Sequence, residues 1–184
     1  MPANQNAPVY CVDWFEALAF ANALSTADKL EPCYRILNEA VLWKQSCTGY
    51  RLPTEFEWEY AASATEAFVY AGSNAVEEVA WTDTNAAGEI HEVALLKPNK
   101  WGLYDMSGNL WEWTWDRYEK RATQKPNREL RGGLRVIRGG SWYKGVGKSR
   151  IRDRANFHPG YRTDVIGFRL VREVLIQKVD TSEP

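Results

Sequence analysis

Residues 102–113 read GLYDMSGNLWEW, a stretch that combines oxygen-bearing side chains with paired tryptophans. The carboxylates of Asp105 and Glu112, with main-chain carbonyls between them, are the hard oxygen ligands that Ca²⁺ prefers. The same residues suit a tight turn in which Asn109 bonds the backbone and Trp111 and Trp113 enter the core. A calcium site and a turn alone are therefore both open interpretations of this stretch.

The composition around that stretch is typical of a folded domain. Of 184 residues, 45% are apolar and 26% charged, which excludes general disorder. The formal net charge of −1 gives no whole-chain signal for nucleic acid, so we expect no nucleic-acid partner. No apolar run approaches the roughly 18–20 residues of a membrane span. We also see no secretory signal at the start, and the location of the protein stays unknown.

Two helices are predicted in the first third of the chain. Asp13–Glu16 and Thr54–Glu57 each fit a capping box, in which the first and fourth residues satisfy each other's backbone N–H groups. Apolar residues follow at helical spacing and predict one buried face on each helix. These residues are Trp14, Ala17, Ala21 and Leu24 in the first helix and Phe56, Tyr60 and Ala61 in the second.

The chain changes character after Ser63, where short stretches are separated by Gly, Asn and Pro. That pattern predicts turns and loops between short strands. Residues 119–133 are charged and predict an exposed loop, while 135–138 and 166–171 are typical of strands. We therefore expect an α+β fold with two helices, a small antiparallel sheet and much irregular loop. The chain divides into a loose segment at 1–8, one domain at 9–175 and a polar tail at 176–184.

Several kinds of chemistry find little support in the residues. The three cysteines match no zinc spacing, and their odd number argues against a fully paired disulfide framework, although one pair could bridge in an oxidising compartment. The stretch GVGKS at 145–149 ends like a phosphate-binding loop, but Trp142 stands where that motif needs its first Gly. The basic residues between 144 and 162 are interleaved with aromatics, which favours a ligand-binding surface over a nucleic-acid surface.

Four motifs resemble the formylglycine-generating enzyme, or sulfatase-modifying factor, family, and they occur in family order over about residues 8–174. They are RLPTEFEWEYAA at 51–62, GLYDMSGNLWEW at 102–113, RGGSW at 138–142 and IGFR at 166–169. The resemblance implies a C-type-lectin-like fold. It also implies that any calcium would be held by the side chains of Asp105 and Glu112 and the carbonyls of Gly108 and Leu110.

The enzymes of this family oxidise a substrate cysteine with O₂, using copper held by two cysteines just after the Gly-Gly-Ser-aromatic motif. Here residues 143–149 read YKGVGKS, and no cysteine follows Cys47. Lys and Ser cannot replace thiolates as ligands of the soft Cu(I) ion. We therefore expect neither this catalysis nor a required cofactor. A divergent oxidoreductase that uses other residues, and an interaction or sensory module of a larger system, are the alternatives.

Residues 138–169 resemble the variable region of the variable proteins of diversity-generating retroelements, in which a fixed frame carries solvent-facing positions that are mutated to make new binding sites. The implied frame comprises Arg138–Trp142, Arg150, Arg154, Pro159, Arg162 and Ile166–Arg169. The implied ligand-facing positions are Tyr143, Lys144, Val146, Lys148, Ile151, Asp153, Asn156, Phe157, His158, Tyr161, Thr163 and Asp164. Ile151 and Phe157, apolar residues among charged ones, suit an exposed face. The expected function is non-catalytic binding of a protein or another macromolecular ligand.

Overall fold

The computed structural model describes residues 6–38, 40–122, 126–143 and 145–173. The expectations for residues 1–5 of the loose start, for Lys144 and for the tail at 176–184 fall outside these ranges. Among the residues that are described, no helix is long and apolar enough to cross a membrane.

Both helices begin where the capping boxes predict. Helix α1 spans Trp14–Ala27 and helix α2 spans Glu55–Ser63. At the start of α1, the Asp13 carboxylate accepts the N–H of Glu16, and the Glu16 carboxylate accepts the N–H of Asp13. Thr54–Glu57 makes the same reciprocal pair at α2. Because these bonds satisfy donors that have no partner inside the helix, the two starting points could be predicted from sequence alone.

The predicted apolar face is correct for α1 and wrong for α2. Trp14, Ala17 and Ala21 are buried, as expected. In α2 the core instead takes Glu55, Trp58 and Ala62, while Phe56 is 52% and Tyr60 53% exposed. Each residue turns a helix by about 100°, so Phe56 and Trp58 point in nearly opposite directions and cannot both face the core. The larger indole occupies the core.

The described residues form eleven short strands. They are β1 (Tyr34–Leu37), β2 (Ala40–Trp43), β3 (Tyr50–Arg51), β4 (Ala80–Trp81), β5 (Ser107–Gly108), β6 (Trp111–Arg117), β7 (Glu129–Arg131), β8 (Arg135–Arg138), β9 (Arg154–Phe157), β10 (Ile166–Phe168) and β11 (Val171–Arg172). Strands β8 and β10 confirm two predicted strands. Strand β7 lies inside the predicted loop at 119–133 and corrects it: Leu130 is buried and pairs with Val41, which anchors the middle of that segment.

The largest sheet has four strands in the order β10-β6-β8-β9. Strand β8 is antiparallel to both of its neighbours, and β10 is parallel to β6. The expected purely antiparallel sheet is thus a mixed one. Strands β9 and β10 run in the same direction at opposite edges, so residues 158–165 must cross from one edge to the other. Smaller sheets join β1-β2-β7, β11-β3 and β4-β5.

The core is built from tryptophans of α1 and β6. Trp14, Trp113 and Trp115 are fully buried, and their indole N–H groups donate to the carbonyls of Thr114, Val12 and Asn127 at 2.8–3.0 Å. A large ring that is both buried and hydrogen-bonded adds apolar burial without an unsatisfied donor. A short α+β chain can therefore build a firm core without long helices.

One disulfide joins Cys33, next to β1, to Cys47, after β2, and Cys11 is free and exposed. The open expectation that one cysteine pair could bridge is thus met by Cys33 and Cys47. The bond closes the loop that carries the β1-β2 hairpin.

Candidate functional site

Buried arginines hold the C-terminal segment to α2. Arg138 in β8 is fully buried, forms ion pairs with Glu55 and Glu59, and lies over the Trp58 ring. Arg154 in β9 also binds the Glu55 carboxylate. Two arginines and two glutamates therefore balance each other at this junction, and the exchange of any one member would leave a buried charge unpaired.

Two further arginines fix the far end of the segment. Arg162 donates to Asp13 at 3.1 Å and pairs with Glu16 at 3.0 Å, which links the crossover at 158–165 to the start of α1. Arg169 donates from Nε and Nη2 to the two oxygens of Glu112, both at 2.6 Å. Both arginines belong to the frame implied by the resemblance, and both make the structural bonds that a frame requires.

Arg135 is buried, and no acidic side chain in the described part of the chain pairs with it. Its guanidinium lies 4.4 Å from the centre of the Trp14 ring, and Nη1 donates to the carbonyl of Gly132. Burial lowers the pKa of Arg135 to about 10, and the positive charge of Arg117 contributes to the shift. No local pattern around Arg135 predicts that its side chain is buried against Trp14.

The predicted ligand-facing residues divide by exposure. Five are exposed, namely Tyr143, Lys148, His158, Tyr161 and Asp164. Five are partly buried, namely Val146, Asp153, Asn156, Phe157 and Thr163. Lys144 lies outside the described residues. Tyr143 is the most exposed of the large rings, at 60%.

Ile151 does not face solvent, and this expectation was wrong. Its side chain is 5% exposed and packs with Trp58, Ala62 and Met106 in a second core cluster under α2. Phe157 is half-buried against the main core and stacks on Tyr161, with ring centres 5.0 Å apart. Alternation of apolar and charged residues had suggested exposure, but edge strand β9 and the turn before it bury one face against the sheet and α2.

The exposed residues lie on two short segments that the crossover connects. In the first, Trp142 stacks edge-on against Tyr143 and donates its indole N–H to the carbonyl of Asp164 at 3.4 Å. In the second, Phe157 and Tyr161 stack beside the turn that carries His158. Thr163 and Asp164 lie two and three residues after Tyr161, and the carbonyl of Asp164 accepts the Trp142 indole N–H, so this stretch of chain joins the two segments.

The GLYDMSGNLWEW stretch forms the predicted turn. The Asn109 amide accepts the N–H of His91 and donates to its carbonyl, while Trp111 and Trp113 are buried. Asp105 accepts the N–H of Ala94. Burial raises the pKa of Asp105, and the negative charge of Glu112 adds to the rise against the opposing effects of Ala94 and Arg169.

The donor set partly fits the predicted calcium site. Asp105 and Glu112 lie near each other at one turn, and Arg169 balances only one of the two carboxylates. A bound cation would lower the free-energy cost of burying the charge of the other carboxylate, Asp105. Both Glu112 oxygens are already hydrogen-bonded, to Arg169 and to the indole of Trp58, so calcium would share Glu112 with these donors. Calcium binding here stays a prediction.

The position of the family's copper cysteines holds no sulfur ligand. Residues 146–148 form a single 3-10 turn, and no α-helix follows it between residues 149 and 173, so the GVGKS stretch does not run into the helix that a phosphate-binding loop needs. Among the described residues, no group of three or more His, Cys, Asp or Glu side chains could hold a metal.

The sequence reasoning missed residues from other segments that border this surface. Asp83 comes near Gly145, because a β-carbon on that glycine would lie 3.7 Å from the Asp83 carboxylate. Trp81 and His91 stack with ring centres 3.8 Å apart, next to Asn109. No local signal marks these residues, since only the folded chain brings 81–91 beside 142–146.

The sequence profile of the sulfatase-modifying factor enzyme 1-like domain matches residues 1–174. The chain belongs to this family. The formylglycine-generating-enzyme resemblance and the C-type-lectin-like fold that it implied are thereby confirmed. Within the sulfatase-modifying factor family, however, similarity to an enzyme does not transfer its activity, because the ligands that carry the activity are a few residues on a shared scaffold.

Three relatives illustrate the range of this family. Treponema denticola variable protein 1 is 33% identical with a TM-score of 0.84, and the match covers 92% of this chain and 74% of that one. The chaperone protein LppX of Paenibacillus barcinonensis is 32% identical over 90% of this chain and 69% of its own. The inactive C-alpha-formylglycine-generating enzyme 2 of Mus musculus is 32% identical over 66% of this chain and 42% of its own.

Proposed function

We propose that this domain is a non-catalytic binding protein of the diversity-generating-retroelement type, which presents residues between 143 and 164 to a macromolecular ligand. The observation that carries the proposal is a contrast within one segment. Its arginines at 138, 154, 162 and 169 are tied to carboxylates of the scaffold, whereas Tyr143, His158 and Tyr161 stand in solvent. Side chains on a rigid frame can change without moving the core.

The likeness to a variable protein supports this function. The match to the Treponema denticola protein covers 92% of this chain. Tyr is a common residue of binding surfaces because a large, stiff ring gives contact area at low entropic cost. A protein ligand suits such a surface better than nucleic acid, because the chain has a net charge of −1.

The alternative is a divergent oxidoreductase of the same family, and a second alternative is an interaction or sensory module of a larger protein. The oxidase needs two thiolates after the Gly-Gly-Ser-aromatic motif, and residues 143–149 contain none. The other cysteines do not compensate, because Cys33 and Cys47 are paired and Cys11 is free on the surface. The module alternative agrees with binding and differs only in what the domain is attached to.

Calcium, where bound, would support the surface and take no part in recognition. Asp105 and Glu112 with the carbonyls of Gly108 and Leu110 would hold it, one turn before the tryptophans of β6. A hard cation supplies positive charge to two neighbouring carboxylates and stiffens the turn. Asn109 accepts the main-chain N–H of Trp142 through its carbonyl, so the same turn positions the start of the proposed binding surface.

The proposal is tested by randomising two matched sets of positions. One library varies the exposed residues Tyr143, His158, Tyr161 and Asp164, and the control library varies the frame residues Arg138, Arg154, Arg162 and Arg169. We expect most members of the first library to keep the parental melting temperature and most of the second to unfold early. Similar losses in both libraries would overturn the proposal.

Two further measurements separate the alternatives. The DNA that flanks the coding sequence should contain a reverse transcriptase and a near-copy of codons 138–170. Titration with Cu(I) should detect no tight stoichiometric site, and a thiol peptide with added copper should cause no oxygen uptake. Stoichiometric copper binding with oxygen uptake would replace the binding function with the oxidase.

A further inference from the structure

The exposed aromatic face of α2 forms one wall of a groove on a different part of the surface from Tyr143 and Tyr161. The groove has a volume of about 610 Å³. Phe56 and Tyr60 line it from α2, Phe68 and Val69 line it from the following loop, and all four side chains are 39–53% exposed. Exposed apolar residues that gather in one concave place are typical of interaction sites, whereas single ones are ordinary.

The groove is firmly built. Its base is Ile151, which is buried against Trp58 and donates its N–H to the carbonyl of Val69 at 3.0 Å. Tyr60 is held from the side by Trp101, with the rings edge-on and their centres 5.0 Å apart. The aromatic wall therefore keeps its shape without a partner, and a ligand would lose little free energy in ordering it.

The lining of the groove also includes two arginines that have no side-chain partner among the described residues. Arg150 and Arg152 line the groove, are exposed, and make no ion pair or side-chain hydrogen bond there. By contrast, Arg138, Arg154, Arg162 and Arg169 each bind a carboxylate of the scaffold.

The charge of the groove is positive because one of its two acids is already paired with a buried arginine. Glu59 lines the groove but pairs with buried Arg138, in the balanced cluster of two arginines and two glutamates. Glu66 is the other acid of the lining. Arg150 and Arg152 therefore exceed the remaining acid by one positive charge, which favours an occupant with a net negative charge.

We propose that this groove binds an extended, acidic segment of a partner protein in which aromatic or aliphatic side chains alternate with Asp or Glu. The apolar side chains would lie against Phe56, Tyr60 and Phe68. The carboxylates would pair with Arg150 and Arg152, whose planar guanidinium groups suit bidentate binding. Arg150 and Arg152 belong to the same 143–164 segment, but the lining of the groove does not include Tyr143, His158 or Tyr161, so this proposal does not rest on those three residues.

The test uses the full chain and a fluorescein-labelled seven-residue peptide in which Phe and Leu alternate with Asp and Glu. We expect saturable binding by fluorescence anisotropy, which weakens with added NaCl. The double substitution Arg150→Glu with Arg152→Glu should lower the affinity at least tenfold, and Tyr60→Ser should do so through the apolar wall. A peptide with Lys in place of the acids should not bind.

The matched control is Arg121→Glu with Arg131→Glu, which makes the same change in net charge at exposed sites outside the groove. It should leave the affinity within twofold, and melting curves check that every variant is folded. Tyr143→Ala should also leave the affinity for the peptide unchanged. A failure of the groove proposal can thus be told apart from a failure of the proposed binding surface that includes Tyr143. Equal effects of both double substitutions, or no binding of the acidic peptide, would overturn the proposal.

Two other occupants would also overturn it. Binding to vesicles of anionic phospholipid that needs Arg150 and Arg152, with no binding of the peptide, would identify a membrane surface instead. A dimer seen by sedimentation and broken by Tyr60→Ser would identify a second copy of this chain.

Discussion

Strand β6 and the segment at 143–164 are both rich in aromatic rings, and the fold treats them in opposite ways. Trp111, Trp113 and Trp115 are all buried, and the last two donate their indole N–H groups to main-chain carbonyls. Tyr143 and Tyr161 are about half exposed or more. The difference shows that ring content alone does not locate a binding surface. Burial distinguishes the two sets of rings, and only the rings at 143 and 161 are exposed enough for the binding role that we propose.

The largest expected effect comes from breaking the scaffold side of this comparison. Glu55→Ala removes the carboxylate that Arg138 and Arg154 share and leaves buried positive charge uncompensated. We expect a loss of about 3–5 kcal/mol in the free energy of unfolding, measured by urea titration. Glu129→Ala breaks the exposed pair with Arg131 and should cost less than about 1 kcal/mol. Equal losses would remove the distinction between frame and surface pairs.

A comparison of stability with calcium and with chelator tests the turn before β6, which belongs to the scaffold. With Ca²⁺ at about a hundred times its dissociation constant, we expect about 2.7 kcal/mol of added stability, lost on addition of chelator. Asp105→Asn keeps the hydrogen-bonding shape but removes the charge, so the calcium effect should largely disappear. Melting curves measure both changes. If the parent chain melts at the same temperature in calcium and in chelator, the turn alone is the correct interpretation.

Asp116, one residue beyond the buried rings of β6, should make stability fall as pH rises. Its carboxylate accepts the N–H of Glu55 at the start of α2. Burial raises the pKa of Asp116 to about 6 from an ordinary 3.8, and the charges of Glu55 and Glu57 contribute. The folded state therefore holds this proton more tightly, and its stabilisation is present below pH 4 and lost between about pH 4 and 6.

Asp116→Asn removes that titration, because the amide is neutral throughout and its oxygen can still accept the N–H. At pH 7 we expect the variant to be more stable than the parent by on the order of 2 kcal/mol, and at pH 4 about equal to it. Urea titrations at several pH values measure the difference. Asp83→Asn, at an exposed position, is the control, and a constant difference from pH 4 to 7 would contradict the assignment.

The smallest effects on stability are expected at the exposed residues of the proposed binding surface. Tyr143→Ala and Tyr161→Ala should each change stability by less than about 0.5 kcal/mol, as most exposed substitutions do. Phe157→Ala should cost more, since Phe157 packs against the main core under Tyr161. Thermal unfolding ranks the three. If Tyr143→Ala lowers stability as much as Phe157→Ala does, Tyr143 is part of the structural frame and not of the exposed surface.

The sequence was a good guide wherever the determining contacts are local. Both helix starts follow from four-residue capping boxes, and Asn109 bonds the backbone as the turn interpretation required. The four motifs led to the family and the fold because they run through the core elements α2, β6, β8 and β10.

Prediction failed where a distant segment decides burial. Ile151 is covered by α2, and Leu130 by its pairing with β2, and neither partner is visible in the local pattern. The spacing of Phe56 and Tyr60 predicted that they face the core. Trp58 occupies that position instead and donates its indole N–H to Glu112 of β6. For the candidate site, exposure of Tyr143, Lys148, His158, Tyr161 and Asp164 agrees with expectation, while their role as ligand contacts stays a prediction.

The capping aspartate of α1 has a second partner, and this matters for how the protein is handled. Asp13 binds Arg162, Trp14 donates its N–H to Pro159, and Cys11 donates its N–H to Thr163. The start of α1 thus holds the crossover at 158–165 in place. Removal of the chain up to Asp13 would take away these contacts together with the Val12 carbonyl that accepts the Trp113 indole N–H, so we expect it to loosen both the crossover and the tryptophan core, and ligand screens should keep this turn in place.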